Sequence, residues 1–171
     1  IYGVLLPNHF LPIVKRCHFS SELFQSVLIN TIYDINNRGL TQKVSINVDH
    51  ENLNDPDFSH RFIQQCSESG VDPSQITIEI TEREAFQAST SIYKNLIKLR
   101  MKGVTVSIDD FGTGSSTFEK LAKLPFNEIK LDRVFVYGAS EDLKKKSIVI
   151  AICALAKNLN IRIVAEGVED E

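Results

Sequence analysis

A chain of 171 residues with 43% hydrophobic and 24% charged side chains has the composition of an ordinary folded domain, long enough to bury one core. Its net charge of -3 excludes a generic surface for a nucleic-acid polymer but leaves room for a small phosphate ligand held through metal. Cys17, Cys66 and Cys153 are an odd, scattered set that fits reduced, buried structural thiols in a cytoplasmic compartment, and no apolar run approaches the ~20 residues of a membrane span, so no membrane contact is expected.

Hydrophobic periodicity predicts an amphipathic helix over 20–37, capped by Ser20 or Ser21 and stopped at Gly39. A strand follows over 43–48, then a helix over 56–69 with Phe58, Phe62 and Ile63 on its apolar face, then a strand over 75–81. The pattern repeats as a helix over 91–101 closed by Gly103, a strand over 104–108, a short helix over 116–124 ended by Pro125, and a strand over 128–131. A helix over 142–159 and a strand over 161–165 complete it. Strands separated by helices imply an α/β fold with a parallel sheet and right-handed crossovers. Neither a repeat nor a linker divides the chain, so residues 1–171 read as one domain. It opens without methionine and stops just after a strand, so it is expected to be a piece of a larger unit.

Successive side chains of a strand point to opposite faces, and the apolar set must face the covering helices. Over 43–48 this leaves Ser45 and Asn47 inward, with Asp49 just beyond; over 75–81 it leaves Thr77, Glu79 and Thr81. The strand at 104–108 delivers Ser107 and Asp109, the strand at 128–131 delivers Lys130 with Asp132 following, and the last strand leads into Glu166. Asn47, Glu79, Asp109, Lys130 and Glu166 thus converge near the C-terminal ends of their strands, where a β/α barrel builds its active site. Polar groups on the inner face of a parallel sheet are costly unless paired or coordinated. Either an internal ion network of Lys130, Glu79 and Asp109 satisfies them or a metal balances the excess of carboxylates.

The run Ser107-Ile-Asp-Asp-Phe-Gly-Thr-Gly114 sharpens the choice. Adjacent Asp109 and Asp110 repel unless a cation sits beside them, and Gly112 and Gly114 permit close backbone approach; two solvated acids in an Asx turn are the plain alternative. Oxygen-rich ligation without histidine or cysteine favours Mg²⁺ or Mn²⁺ over zinc, and His9, His18, His50 and His60 form no ligand pair at helical spacing. Two such ions, roughly 3.5–4 Å apart and sharing Asp109, suit in-line attack of water on a phosphodiester. Lys130 would then position or deprotonate that water, or stabilise charge developing on phosphorus.

These residues resemble the EAL family of bacterial cyclic di-GMP phosphodiesterases. Val44-Ser-Ile-Asn-Val48, Ile78-Glu-Ile-Thr-Glu82, Ile108-Asp-Asp-Phe-Gly-Thr-Gly114, Leu124-Pro125, Lys130-Leu-Asp132 and Ala165-Glu-Gly-Val-Glu169 are similar in motif and order to the family's segments, across essentially the whole chain. The resemblance implies a TIM-like (β/α) barrel, present as its central portion and truncated at both ends, since the family's Glu-Ala-Leu and C-terminal Gln-Gly segments are not in the chain. It implies metal on Asn47, Glu79, Asp109, Asp110 and Glu166, and catalysis by Lys130 with Asp109 and Glu166. Asp132 and Glu169 would support the metal and water network, and Glu82 would anchor the Asp-Asp-Phe-Gly loop unless it is a plain helix-start acid. The implied reaction is hydrolysis of cyclic di-GMP to linear pGpG, in a homodimer controlled by sensor or receiver domains of the parent protein. A catalytically inactive cyclic di-GMP receptor acting through protein partners is the alternative. Ser115, Phe118 and Val14-Lys15 depart from the family's usual residues.

Overall fold

Isoleucine or valine at every second position of 44–48, 76–80 and 104–108 suits a pleated surface buried on one face, and these runs fold as strands. The computed structural model describes residues 3–112 and 124–168. Its strands are β1 (Val44–Asn47), β2 (Ile76–Thr81), β3 (Thr105–Phe111), β4 (Glu128–Leu131) and β5 (Arg162–Ala165). All neighbours pair in parallel, in the order β1-β2-β3-β4-β5. Because strand order follows the chain without reversal, every crossover steps the same way, as in a barrel rather than a doubly wound sheet.

The helices are α1 (Pro7–Arg16), α2 (Ser20–Arg38), α3 (His50–Asn54), α4 (Phe58–Glu68), α5 (Glu82–Phe86), α6 (Thr90–Met101), α7 (Arg133–Val136) and α8 (Leu143–Asn158). Phe24, Leu28, Ile32 and Ile35 of α2, Phe58 and Phe62 of α4, and Ile92, Leu96 and Leu99 of α6 join Ile46, Ile78, Val106 and Ile108 of the sheet in one buried cluster. The polar alternates of the strands are therefore left on the opposite face, where the site forms.

Several expectations need correction. Helix α2 starts at Ser20 with Phe19 at its N-cap and no side-chain cap, so neither Ser20 nor Ser21 caps it. The turn out of α1 fixes its start instead, through His18 at φ 56 and the bond from Phe19 N–H to Val14 O. Its C-terminus does stop at Gly39, in the left-handed region at φ 59. Strand β3 runs through both aspartates to Phe111 rather than ending at Ile108. Cys66 is buried and desolvation pushes its thiol up to about 11, but Cys17 and Cys153 are exposed, Cys17 at the end of α1 and Cys153 on the solvent side of α8. Residues 116–123 of the helix expected over 116–124, with Ser115 and Phe118, lie outside the described residues, and Leu124 is not helical. Among the described residues no helix is long and apolar enough to cross a membrane.

Three single-turn helices escaped the periodicity, and each begins immediately beyond a strand. Asp49 caps α3 through Asn52 N–H, Thr81 caps α5 in a capping box with Glu84, and Asp132 caps α7 through Val134 N–H. The first of these is locked in place by Asn95 of α6. Its buried amide donates to Leu53 O at 2.8 Å and Asp55 O at 2.7 Å and accepts from the Ser59 hydroxyl at 2.8 Å. Asn95→Ala should therefore orphan two carbonyls and a hydroxyl and lower unfolding free energy by about 2–3 kcal/mol in urea titration. A loss within about 0.5 kcal/mol, the range of an ordinary surface change, would contradict this reading of the contact.

Candidate metal and active site

Strand alternation alone would send Asp109 and Asp110 to opposite faces of β3. The ladder prevents this. Ile108 pairs with Ile129 and Phe111 with Leu131, so β3 carries one residue more than β4 between those pairs. The extra residue is a β-bulge, and Asp110 takes it up at φ 53, a left-handed conformation that aspartate tolerates better than most residues. The Asp110 amide folds back to donate to Asp109 Oδ1 at 3.1 Å. As a result, carboxylate oxygens of Asp109, Asp110 and Glu166 lie within 4.8 Å of one another.

Lys130 reaches this group from β4. Its Nζ stands 2.6 Å from Glu166 Oε1, 3.1 Å from Asp109 Oδ1 and 3.2 Å from Glu79 Oε2. Its side chain is only 16% exposed. Burial works against the ammonium, but Glu166, Asp109 and Glu79 outweigh it and hold the lysine above its ordinary value, so the amine is charged. Asp110 is raised as well, which in an acid opposes the charged form: desolvation first, then the charges of Asp109, Asp132 and Glu166, lift it above its ordinary value of 3.8.

The remaining residues expected at the site fall around this centre. Asn47 is exposed and pairs with Glu79 across the β1–β2 ladder, one strand further from the acidic cluster. Glu82 opens α5, is 3% exposed, and its Oε2 accepts from Gly112 N–H at 2.8 Å, so a helix-start acid also holds the loop after β3. Asp132 caps α7 and faces Asp110. Glu169 lies outside the described residues.

Alternation also implies an inner-face residue, Glu128, that was not singled out beside the expected Ser107. Glu128, two residues before Lys130, is buried and accepts from Arg162 Nε at 2.6 Å, while Ser107 between Glu79 and Glu128 in the ladder is fully buried. Period-two reading of β4 should have named Glu128 with Lys130.

A family model described as the EAL domain matches residues 2–171. The chain belongs to the EAL family. It is 31% identical over 172 residues to the cyclic di-GMP phosphodiesterase RocR of Pseudomonas aeruginosa, covering 99% of this chain and 44% of RocR. It is 32% identical over 174 residues to the oxygen sensor protein DosP of Escherichia coli, covering 99% of this chain and 22% of DosP. The chain thus spans less than half the length of these curated relatives. The solved structure of the PaMucR phosphodiesterase in complex with c-di-GMP superposes with a TM-score of 0.86 at 30% identity, covering 99% of this chain and 70% of that one. The five-stranded parallel sheet of this EAL chain is accordingly an arc of a TIM-like (β/α) barrel.

Crowded carboxylates have a measurable signature in the metal-free protein. An acid whose folded value lies above its unfolded one costs stability once it ionises; the cost is absent at low pH and grows as pH rises through the folded value. Asp110→Asn should therefore raise the melting temperature of the metal-free protein at pH 8, with the gain shrinking as pH falls toward the range where Asp110 takes up its proton. Melting curves at both pH values check this, and a lower melting temperature at pH 8 would contradict it.

Proposed function

We propose that this chain is the central portion of an EAL-type domain, residues 1–171, that hydrolyses cyclic di-GMP to linear pGpG in a metal-dependent reaction. The observation that carries the reading is the convergence of Asp109, Asp110 and Glu166 around the Lys130 ammonium at the C-terminal ends of parallel strands. The names of RocR and PaMucR support the substrate, and the aligned PaMucR chain, which extends beyond the matched part, supports the reading as a portion.

The donor set fits a divalent cation of the Mg²⁺ or Mn²⁺ class. It is all hard oxygen, its atoms lie within 4.8 Å of one another, and Asp110 is raised by burial and then by neighbours of its own sign. Asp109, Asp110 and Glu166 would hold it, with Glu79 and Asn47 completing a pair of ions. Bound there, such ions polarise a phosphoryl oxygen and make water nucleophilic at neutral pH.

The product pGpG keeps a 5′ phosphate, so water oxygen forms the new bond to phosphorus, the P–O3′ bond breaks, and the 3′ oxygen leaves with a proton. Lys130, held charged by its three carboxylates, donates to the attacking water or to phosphoryl oxygen, and it orients and stabilises rather than deprotonates. Carboxylates of the cluster take the proton from water. Asp132 and Glu169 support the network, and Glu82 steadies the loop of Asp110 through Gly112. The protein would act in the cytoplasm as a homodimer under sensor or receiver domains; the sensor named among its relatives supports the last of these alone.

Because Lys130 already closes an ion network with Glu79, Asp109 and Glu166, the fold does not need metal to satisfy these groups, and this favours the inactive receptor as the second reading. Chromatography of cyclic di-GMP incubated with full-length protein and Mn²⁺ separates the two: linear pGpG supports the enzyme, and binding without product supports the receptor. Asp109→Ala should abolish product, and unchanged turnover would overturn the assignment. Lys130→Ala should lower kcat by about 100-fold or more with a small change in KM, as expected for a group that acts on developing charge. An equal loss confined to KM would make Lys130 a ligand-holding residue instead.

A further inference from the structure

Two glycines flank the acidic cluster, and the same turn of helix presses on both. Gly112, two residues beyond Asp110, has φ +98, and a Cβ built on it would lie 2.7 Å from Phe135 Cε2 and 3.1 Å from Cζ. Gly167, next to Glu166, has φ +66, and a Cβ there would lie 2.5 Å from Arg133 Cγ and 2.8 Å from Cδ. The Phe135 ring and the Arg133 stem thus fill the space a side chain would need. Both belong to α7, which starts directly after the strand of Lys130 and is capped by Asp132, the carboxylate facing Asp110. On its other side, Gly112 is held by the hydrogen bond from its N–H to Glu82. Gly112, two residues beyond Asp110, is therefore gripped between a carboxylate on α5 and an aromatic ring on α7.

We propose that α7 is a clamp on the two chain segments that carry Asp110, at the end of β3, and Glu166, just after β5, with Phe135 the positioning residue that sets Asp110 for cation binding. The inference deepens the metal reading above and rests on it. Asp110 sits on a bulge in a left-handed conformation while crowded by carboxylates, so contacts on its loop must supply the order that repulsion removes. A phenylalanine ring against a glycine α-carbon does this without bringing another charge into the cluster. Arg133 acts on the Glu166 side with the apolar part of its stem.

The test is Mn²⁺ binding by the full-length protein, read from the electron paramagnetic resonance signal of the free ion, beside melting temperatures without metal. Phe135→Ala should weaken Mn²⁺ binding roughly 10-fold, the loss typical of supporting contacts around a metal site, while the metal-free melting temperature stays within a few degrees. Phe135→Leu should recover most of the affinity, and Phe135→Val takes the place of the alanine variant if that protein does not fold. Affinity unchanged across the series, or affinity that falls only in step with melting temperature and is not recovered by leucine, would overturn the clamp. Unmutated protein that binds no Mn²⁺ would overturn the metal reading and the clamp together. Mn²⁺ bound without phosphodiesterase activity would sink the proposed reaction and leave the clamp to stand on the variant series.

Discussion

One ammonium group shared among three carboxylates lets charged side chains line the inner face of this parallel sheet. Glu79, Asp109 and Glu166 would each be costly to bury alone, and Lys130 sits within hydrogen-bonding distance of all three. The arrangement does not neutralise itself. Three carboxylates face one ammonium, and Asp110 adds a fourth acid whose ionisation is opposed by its neighbours. A site built this way pairs three of its acids with one ammonium and leaves an excess of carboxylate that a divalent cation could balance.

The second requirement is a break in the strand's regularity. A continuous β3 would bury one aspartate under the helices and present the other, whereas the extra residue between the Ile108 and Phe111 pairs brings both to the same side. That conformation is maintained from outside the cluster. Glu82 holds Gly112 by its N–H, Phe135 covers its α-carbon, and the Arg133 stem lies on Gly167 beside Glu166. The helices that begin after β2 and β4 therefore fix the backbone around the acidic cluster as well as finishing the fold.

Much of this could be read from residue order. Period-two alternation places Ser45, Asn47, Glu79, Asp109 and Lys130 on one face because the apolar alternates Ile46, Ile78, Val106, Ile108 and Ile129 leave no choice of side. Strand order follows from helices between strands, and the EAL motifs span the same segments. What escaped has physical reasons. The single turns α3, α5 and α7 are too short to show a 3.6-residue period and betray themselves only by Asp49, Thr81 and Asp132 at their caps. Helix α1 carries Pro12 inside it, a residue that argues against a helix when only the local sequence is read. The bulge at Asp110 and the contacts of Phe135 and Arg133 with two glycines are tertiary facts that no local pattern encodes.

The account's central claim is that Asp109, Asp110 and Glu166 are a cation site in which Lys130 is the resident counter-charge. Crystals of the full-length protein soaked in Mn²⁺ and measured at the manganese absorption edge test it most directly. The account predicts an anomalous peak among these three carboxylates, with Lys130 still at hydrogen-bonding distance from at least one of them. A fully occupied lysine network with no anomalous density at millimolar Mn²⁺ would contradict it and leave the cluster as an internal ion pair that only holds the sheet together.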